Sequence, residues 1–156
     1  MNPLDLNELT TFVVRAKTAS YAGDGATLLP YRLGSHDLQF LDGDWAYHDS
    51  YFGGTDFIGQ EIAYYRGVSI WGQNYFGRIL RDELMTGEEA GRMIKESLSA
   101  LYAQGRFLGG FRRDSGELRY VDTNQGNVAA FSGAEWIERA DTRVYELVYH
   151  GGLIRP

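Results

Sequence analysis

GSHDLQFLDGDWAYHDSYFGG, residues 34–54, decides how the first part of the chain folds. Apolar and polar residues alternate on both sides of Asp42-Gly43, the pattern of two half-buried strands. Asp-Gly is favoured chemistry for a two-residue type I′ hairpin turn. A turn at those residues pairs Leu41 with Asp44, Phe40 with Trp45, Leu38 with Tyr47 and His36 with Asp49. Directly paired residues share a face. One face then carries His36, Leu38, Phe40, Trp45, Tyr47, Asp49 and Tyr51, and its apolar character turns it inward. The other carries Asp37, Gln39, Leu41, Asp44, Ala46, His48 and Ser50. The predicted His36–Asp49 pair closes the inner face beside Tyr51. A carboxylate next to an imidazole raises its pKa and fixes its tautomer, which is half of a general-base arrangement. The same two residues can equally be a satisfied polar pair at the end of a sheet. Asp37–His48, on the other face, is expected to be solvated and is given no role. Gly53-Gly54 is either a strand-ending turn or a backbone that lets a ligand approach.

Outward from this hairpin, the next is expected to turn at Arg66-Gly67, between EIAYY and VSIW. Its register pairs Ile62 with Trp71, Tyr64 with Ser69 and Ile58 with Tyr75. Glu61 then shares the opposite, partly apolar face with Ala63, Tyr65, Val68, Ile70 and Asn74. A carboxylate there is costly unless it is paired, at an edge or in a pocket. Thr86 and Glu89 form a capping box for the clearest helix, whose stripe is Met93, Ile94, Leu98, Leu101 and Tyr102, closed by Gly105. An N-terminal helix is capped by Asn2, opened by Pro3 and aided by Asp5 and Glu8. It carries Leu6, Leu9, Phe12, Val13 and Ala16, and breaks near Thr18. Asp114-Ser115-Gly116 marks a third hairpin. NVAAFSG and RVYELVYHGG read as strands, with AEWIERA between them as a turn or short helix. Neither a linker nor a convincing internal repeat is evident. The order predicts one α+β domain over residues 1–156: a curved, mainly antiparallel sheet of several hairpins packed on one long amphipathic helix, with a short N-terminal helix.

Composition narrows the function. The net charge is −6, which argues against nucleic-acid binding by this chain, since that rests on Lys and Arg at phosphates. Arg112, Arg113 and Arg119 are interrupted by Asp114 and Glu117 and read as a solvated hairpin face. The absence of cysteine excludes disulfides and thiolate chemistry and fits a cytoplasmic location. MNPLDLNELTTF has no apolar core of a signal peptide, and no apolar run is long enough for a membrane span. Aromatic residues make up 14% of the chain, and Tyr and Trp suit sheet faces and pocket walls.

No phosphate-binding loop, dinucleotide fingerprint or nucleophile elbow is present. Gly23-Asp24-Gly25-Ala26 reads as a plain loop. His150 ends the last strand and shares a face with Val148, Glu146 and Val144. His36, Asp49, Glu61 and His150 are of metal-binding type, but their spacing matches no metal motif, so neither a metal nor a cofactor is expected. The candidate ligand-binding set is His36, Tyr47, Asp49, Tyr51, Glu61, Trp71, Asn74, Tyr75 and His150. His36, Asp49 and Glu61 are the catalytic candidates.

FVVRAK, SYAGDGA, GSHDLQF, GDWAYHDSYFGG, FIGQE, WGQNYFG and VYELVYHGG together resemble a family of uncharacterised prokaryotic domains of about 150 residues. Its members occur alone or behind an Xre-type helix-turn-helix in transcriptional regulators. The matching positions are Arg15, Lys17, Tyr21, Gly34, Ser35, His36, Asp37, Tyr47, Asp49, Tyr51, Glu61, Trp71, Asn74, Tyr75 and His150. The residues ahead of the GSHD segment are too few for a DNA-binding module, so direct regulation of transcription by this polypeptide is not expected. The resemblance implies a small-molecule binding or sensing domain. The alternatives are a small hydrolase, isomerase or lyase using His36–Asp49, and a homodimeric interaction module.

Overall fold

The computed structural model describes residues 5–21 and 26–155, and only the backbone of Tyr21 and Ala26. Asn2, Pro3 and the loop residues 23–25 lie outside the described residues. Asp5 caps α1 (Leu6–Tyr21), its carboxylate accepting from the Asn7 amide at 2.8 Å. The helix runs on to Tyr21 rather than breaking near Thr18. After it come β1 (Ala26–Leu28), β2 (His36–Asp42), β3 (Trp45–Gly53), β4 (Phe57–Tyr65) and β5 (Val68–Ile79). Next is α2 (Gly87–Tyr102), capped by Thr86, whose hydroxyl accepts from the Glu89 amide at 3.2 Å. Then follow β6 (Phe111–Ser115), β7 (Leu118–Asn127), β8 (Ala130–Arg139) and β9 (Thr142–Leu153).

The nine strands form a single sheet in the order β1-β2-β3-β4-β5-β9-β8-β7-β6, with every pairing antiparallel. The architecture is mainly β and corrects the expected α+β layer. There is no single long helix under the sheet: α1 and α2 are equal, at 16 residues each. AEWIERA is neither turn nor short helix but the bulk of β8. Its Ala, Glu and Arg favour helix locally. Pairing on both sides, with Glu135 and Ile137 buried alternately, overrides that preference.

The first hairpin turns one residue later than its Asp-Gly suggests. Asp42 pairs with Trp45, so the turn is Gly43-Asp44, with glycine first at φ +60°. Glycine at the first of two turn residues is the other favoured hairpin chemistry. Moving the turn by one residue keeps each side chain on its expected face but changes every partner. His36 sits opposite Tyr51, and Asp49 opposite Leu38. The expected His36–Asp49 pair does not form. Asp37 is also not solvated: it is 1% exposed, although it does bond to His48. The second hairpin turns at Arg66-Gly67 as expected, both at positive φ. A bulge after Tyr64↔Ser69 then puts Trp71 opposite Ala63 instead of Ile62. Glu61 consequently shares its face with Trp71, Gln73 and Tyr75, and Asn74 falls on the other side.

The chain is an internal duplication, contrary to the expectation of no repeat. Adding 81 to the α1 numbers gives α2, and Leu9, Phe12, Val13 and Ala16 map onto the buried Ala90, Met93, Ile94 and Ser97. Adding 73 takes Tyr47, Asp49 and Gly53 to Tyr120, Asp122 and Gly126. Past a loop that is one residue longer, adding 74 takes Phe57, Gly59, Glu61, Tyr75 and Gly77 to Phe131, Gly133, Glu135, Tyr149 and Gly151. The backbone follows the residues: Gly53 and Gly126 share φ +91°. Each unit is thus a helix followed by a four-stranded meander, β2–β5 in the first and β6–β9 in the second, with β1 added at the first unit's outer edge, and the units join edge to edge through β5 and β9. Tyr75 and Tyr149 are directly opposite in that seam, so a pseudo-two-fold axis passes between them.

Both helices cover one face, α1 on β2 and β3 and α2 on β6 and β7, and they touch each other. Phe12 stacks on Trp45 with centroids 4.8 Å apart, while Trp71, Phe107 and Phe131 form a second aromatic cluster. The uncovered face carries Ile58, Phe76 and Val148 exposed in one register row.

Candidate functional site: an open cleft and its closed copy

Three register rows build the polar centre of the covered face. The first runs Asp49, Glu61, Gln73, Gly151, Phe131 and Gly126. Its pseudo-symmetric mate runs Asp122, Glu135, Leu147, Gly77, Phe57 and Gly53. Between them lie Tyr51, Gly59, Tyr75, Tyr149, Gly133 and Asn124. The glycines in the middle row have a clear purpose. Tyr75 lies flat over Gly59 and donates to Asp49 at 2.7 Å, and Tyr149 lies over Gly133 and donates to Asp122 at 2.7 Å. A Cβ at either glycine would overlap the tyrosine ring.

Each unit also has a tyrosine–glutamate pair. Tyr120 and Tyr145 both donate to Glu135, the latter at 3.0 Å. In the first unit Tyr47 bonds to Glu61, which also receives the buried ammonium of Lys17 from α1. Glu61 therefore takes the partnered option among the three that its position allowed. The α2 position matching Lys17 is Leu98, so the second unit has no such cation. Lys17, Glu61, Gln73, Tyr75, Asp122, Glu135 and Tyr149 meet around a cavity of about 40 Å³.

Burial sets the protonation of these acids. Removal from water, followed by the neighbouring Glu61 charge, pushes Asp49 up to about 7 against the pull of the Tyr75 bond. Burial likewise lifts Glu135 to about 7 despite its bond from Tyr120, and raises Asp122. Burial and then the charges of Glu61 and Asp49 raise the Tyr47 phenol, so it stays a hydrogen-bond donor. Asp37, behind the sheet, behaves oppositely. Burial would raise it, but hydrogen bonds from Ser35, Ser50, the Tyr31 amide and His48 outweigh that and hold it at about 2.

The two units differ where they meet solvent. In the second, Asn124 donates to both Asp122 at 2.9 Å and Tyr149 at 3.0 Å, and the Gly109 amide donates back to Asn124 at 2.9 Å. Arg106 pins this connection through the carbonyls of Leu108 and Gly110. Asp122 is thus closed over by its own chain. In the first unit Tyr51 stands at the Asn124 position, and its ring stacks on His36 with centroids 4.9 Å apart. A cleft of about 480 Å³ opens there, walled by His36, Leu38, Tyr51, Phe57 and Tyr75 from the sheet and by Ser20, Gly91 and Ile94 from the helices, with Asp49 inside.

Of the sequence candidates, His36, Asp49, Tyr51 and Tyr75 come together in this cleft. Tyr47 and Glu61 lie buried directly behind Asp49. Trp71 is a core residue, fully buried, donating to the Val128 carbonyl at 3.0 Å. Asn74 and His150 are on the opposite face, exposed and 3.3 Å from each other. Gly59, Gly91, Lys17, Asp122, Glu135 and Tyr149 were not among the candidates. The twice-used pattern Tyr-x-Asp-x₃-Gly, followed by Phe-x-Gly-x-Glu, is the signal that marks six of the eight residues in each unit's motif.

Among the described residues no group of three or more His, Asp or Glu side chains could hold a metal ion, and no helix is long and apolar enough to cross a membrane. The fold and site define a duplicated, helix-covered antiparallel domain with one open cleft and one closed equivalent. Residues 49–154 match the family described as Domain of unknown function (DUF5680), and the chain belongs to that family. The match contains the whole second copy of the motif and the first from Asp49 onward, and starts after Lys17, His36 and Tyr47. No curated protein and no solved structure matches the chain.

Proposed function

We propose that the protein binds a small molecule in the cleft of the first unit. The observation that carries this reading is the contrast between the two copies of one scaffold. The second unit spends Asn124 and the 106–110 connection on covering its Tyr–Asp pair, while the first leaves the equivalent pair lining a ligand-sized space. Gly91 adds independent support. It lies inside α2, where glycine costs up to about 1 kcal/mol relative to alanine. A Cβ there would meet nothing within 4 Å, so packing does not require the glycine. A small residue at that point keeps the cleft wide. The resemblance to domains joined to a helix-turn-helix agrees with a sensing role by analogy.

Gly91→Trp tests the reading, because a Cβ at Gly91 meets nothing within 4 Å and the residue lines the cleft, so the added ring is directed at the cleft space. A screen of ring-bearing small molecules by thermal shift is expected to give hits on the native protein that disappear in Gly91→Trp, whose own melting temperature is unchanged or higher. Hits that persist in the plugged variant, or no hits on the native protein, would overturn the proposal.

A further inference from the structure

Resting on that reading of the cleft, we infer that its ligand is a flat organic cation, an amidinium- or ammonium-bearing ring, whose charge sits against Asp49 and whose ring lies among Tyr51, Phe57 and Tyr75. The wall chemistry disfavours an anion. Among its described lining residues the cleft has one carboxylate, Asp49, and no Lys or Arg. Lys17, whose charge acts on Asp49, is buried and already bonded to Glu61. Glu61 stands directly opposite Asp49 in the sheet, so two adjacent carboxylates share one ammonium. An anionic ligand would face both without a counter-charge. A cation would supply the charge that the second carboxylate lacks.

The rings point the same way. Aromatic faces carry negative charge density and attract cations, most strongly where water is excluded. Tyr75 is fixed edge-on to Phe57 with centroids 6.0 Å apart, and Tyr51 is fixed by its stack on His36, so these walls are already in place. The titratable groups around Asp49 are His36 from β2, Tyr47 and Tyr51 from β3, Glu61 from β4, Tyr75 from β5 and Lys17 from α1, with Asp37 acting from the other face. Helix α2 contributes only Gly91 and Ile94. Burial, and then the neighbouring Glu61 charge, lifts Asp49 to about 7. A cation requires its ionised form, so affinity should rise as pH is raised through that value and then level off.

Benzamidine, benzamide and benzoate form a matched cation, neutral and anion series for calorimetric titration. At about pH 8, benzamidine is expected to bind about tenfold or more tightly than benzamide, the scale of a charge-assisted hydrogen bond plus a cation–π contact. Benzoate is expected not to bind. At about pH 5.5 the preference for benzamidine should shrink, because Asp49 is then protonated. Asp49→Asn should abolish the preference at both pH values while keeping benzamide binding, and His36→Ala should leave the pH dependence in place. If benzamide or benzoate binds as tightly as benzamidine, the charge assignment is overturned and the cleft reading stands. If none of the three binds the native protein, both are overturned.

Discussion

Tyr75 and Tyr149 each hold a buried aspartate with one phenolic hydrogen bond, and each crosses its neighbouring strand over a glycine. Gly59→Ala and Gly133→Ala should therefore act alike, each costing about 1–3 kcal/mol through overlap with the ring. Urea denaturation would measure both, and a neutral effect at either would contradict the arch geometry. Tyr75→Phe removes the bond that lowers Asp49, so it should raise that carboxyl above about 7, as read by carbon-detected NMR titration. Glu135 gives a pH prediction of definite sign. Its folded pKa of about 7 lies above its ordinary 4.5, so the folded state holds the extra proton. Its contribution to stability is full below about 4.5 and is lost as pH rises towards and through about 7. Glu135→Gln should flatten the fall in stability across that window. Asp37 works in the other direction. Held at about 2, it stabilises the fold above its ordinary 3.8 and ceases to as pH falls through about 2.

At the scale of elements, α1 delivers the one buried cation among the described residues and α2 delivers none. Lys17→Met leaves Glu61 buried without its partner and should cost about 3–5 kcal/mol, whereas Lys17→Met with Glu61→Gln should recover most of that loss. Thermal denaturation of the two variants side by side tests whether the pair or the packing matters. The helices and hairpins were largely readable in the sequence because their signals are local: the Thr86 cap, the α2 stripe and the Arg66-Gly67 turn all stand where those residues place them. What was unreadable depended on distant partners. The choice between Asp42-Gly43 and Gly43-Asp44 shifts every pair in the first hairpin, and both dipeptides are good turns. The bulge after Tyr64 has no local marker, and it alone moves Asn74 away from Glu61. AEWIERA misleads because its strand character comes from β7 and β9, which flank it.

At the scale of the molecule, the duplication explains why some candidate residues gather and others disperse. The inner-face assignment of His36, Asp49, Tyr51 and Tyr75 was legible from alternation, since parity survives a shifted turn. The second set, Asp122, Glu135 and Tyr149, was hidden because the shared motif residues are scattered among differing ones and their spacing slips by one at the loop before Phe131. One continuous sheet with a shared centre should unfold as one unit. Fluorescence of Trp45 and Trp71 in the first half and Trp136 in the second should report the same denaturation midpoint, as read in variants keeping one tryptophan and as judged against far-ultraviolet circular dichroism. Separate midpoints would show that the β5–β9 seam does not couple the halves.

The proposed ligand site belongs to the first unit alone, its copy in the second being covered by Asn124 and the 106–110 connection. Backbone amide NMR during titration with a cleft-binding ring compound tests it most directly. Shifts are expected to concentrate at His36, Asp49, Tyr51, Phe57 and Gly91, with the equivalent Asp122, Asn124 and Phe131 unmoved. Shifts centred on the second unit or on the exposed Ile58–Phe76–Val148 row would contradict it.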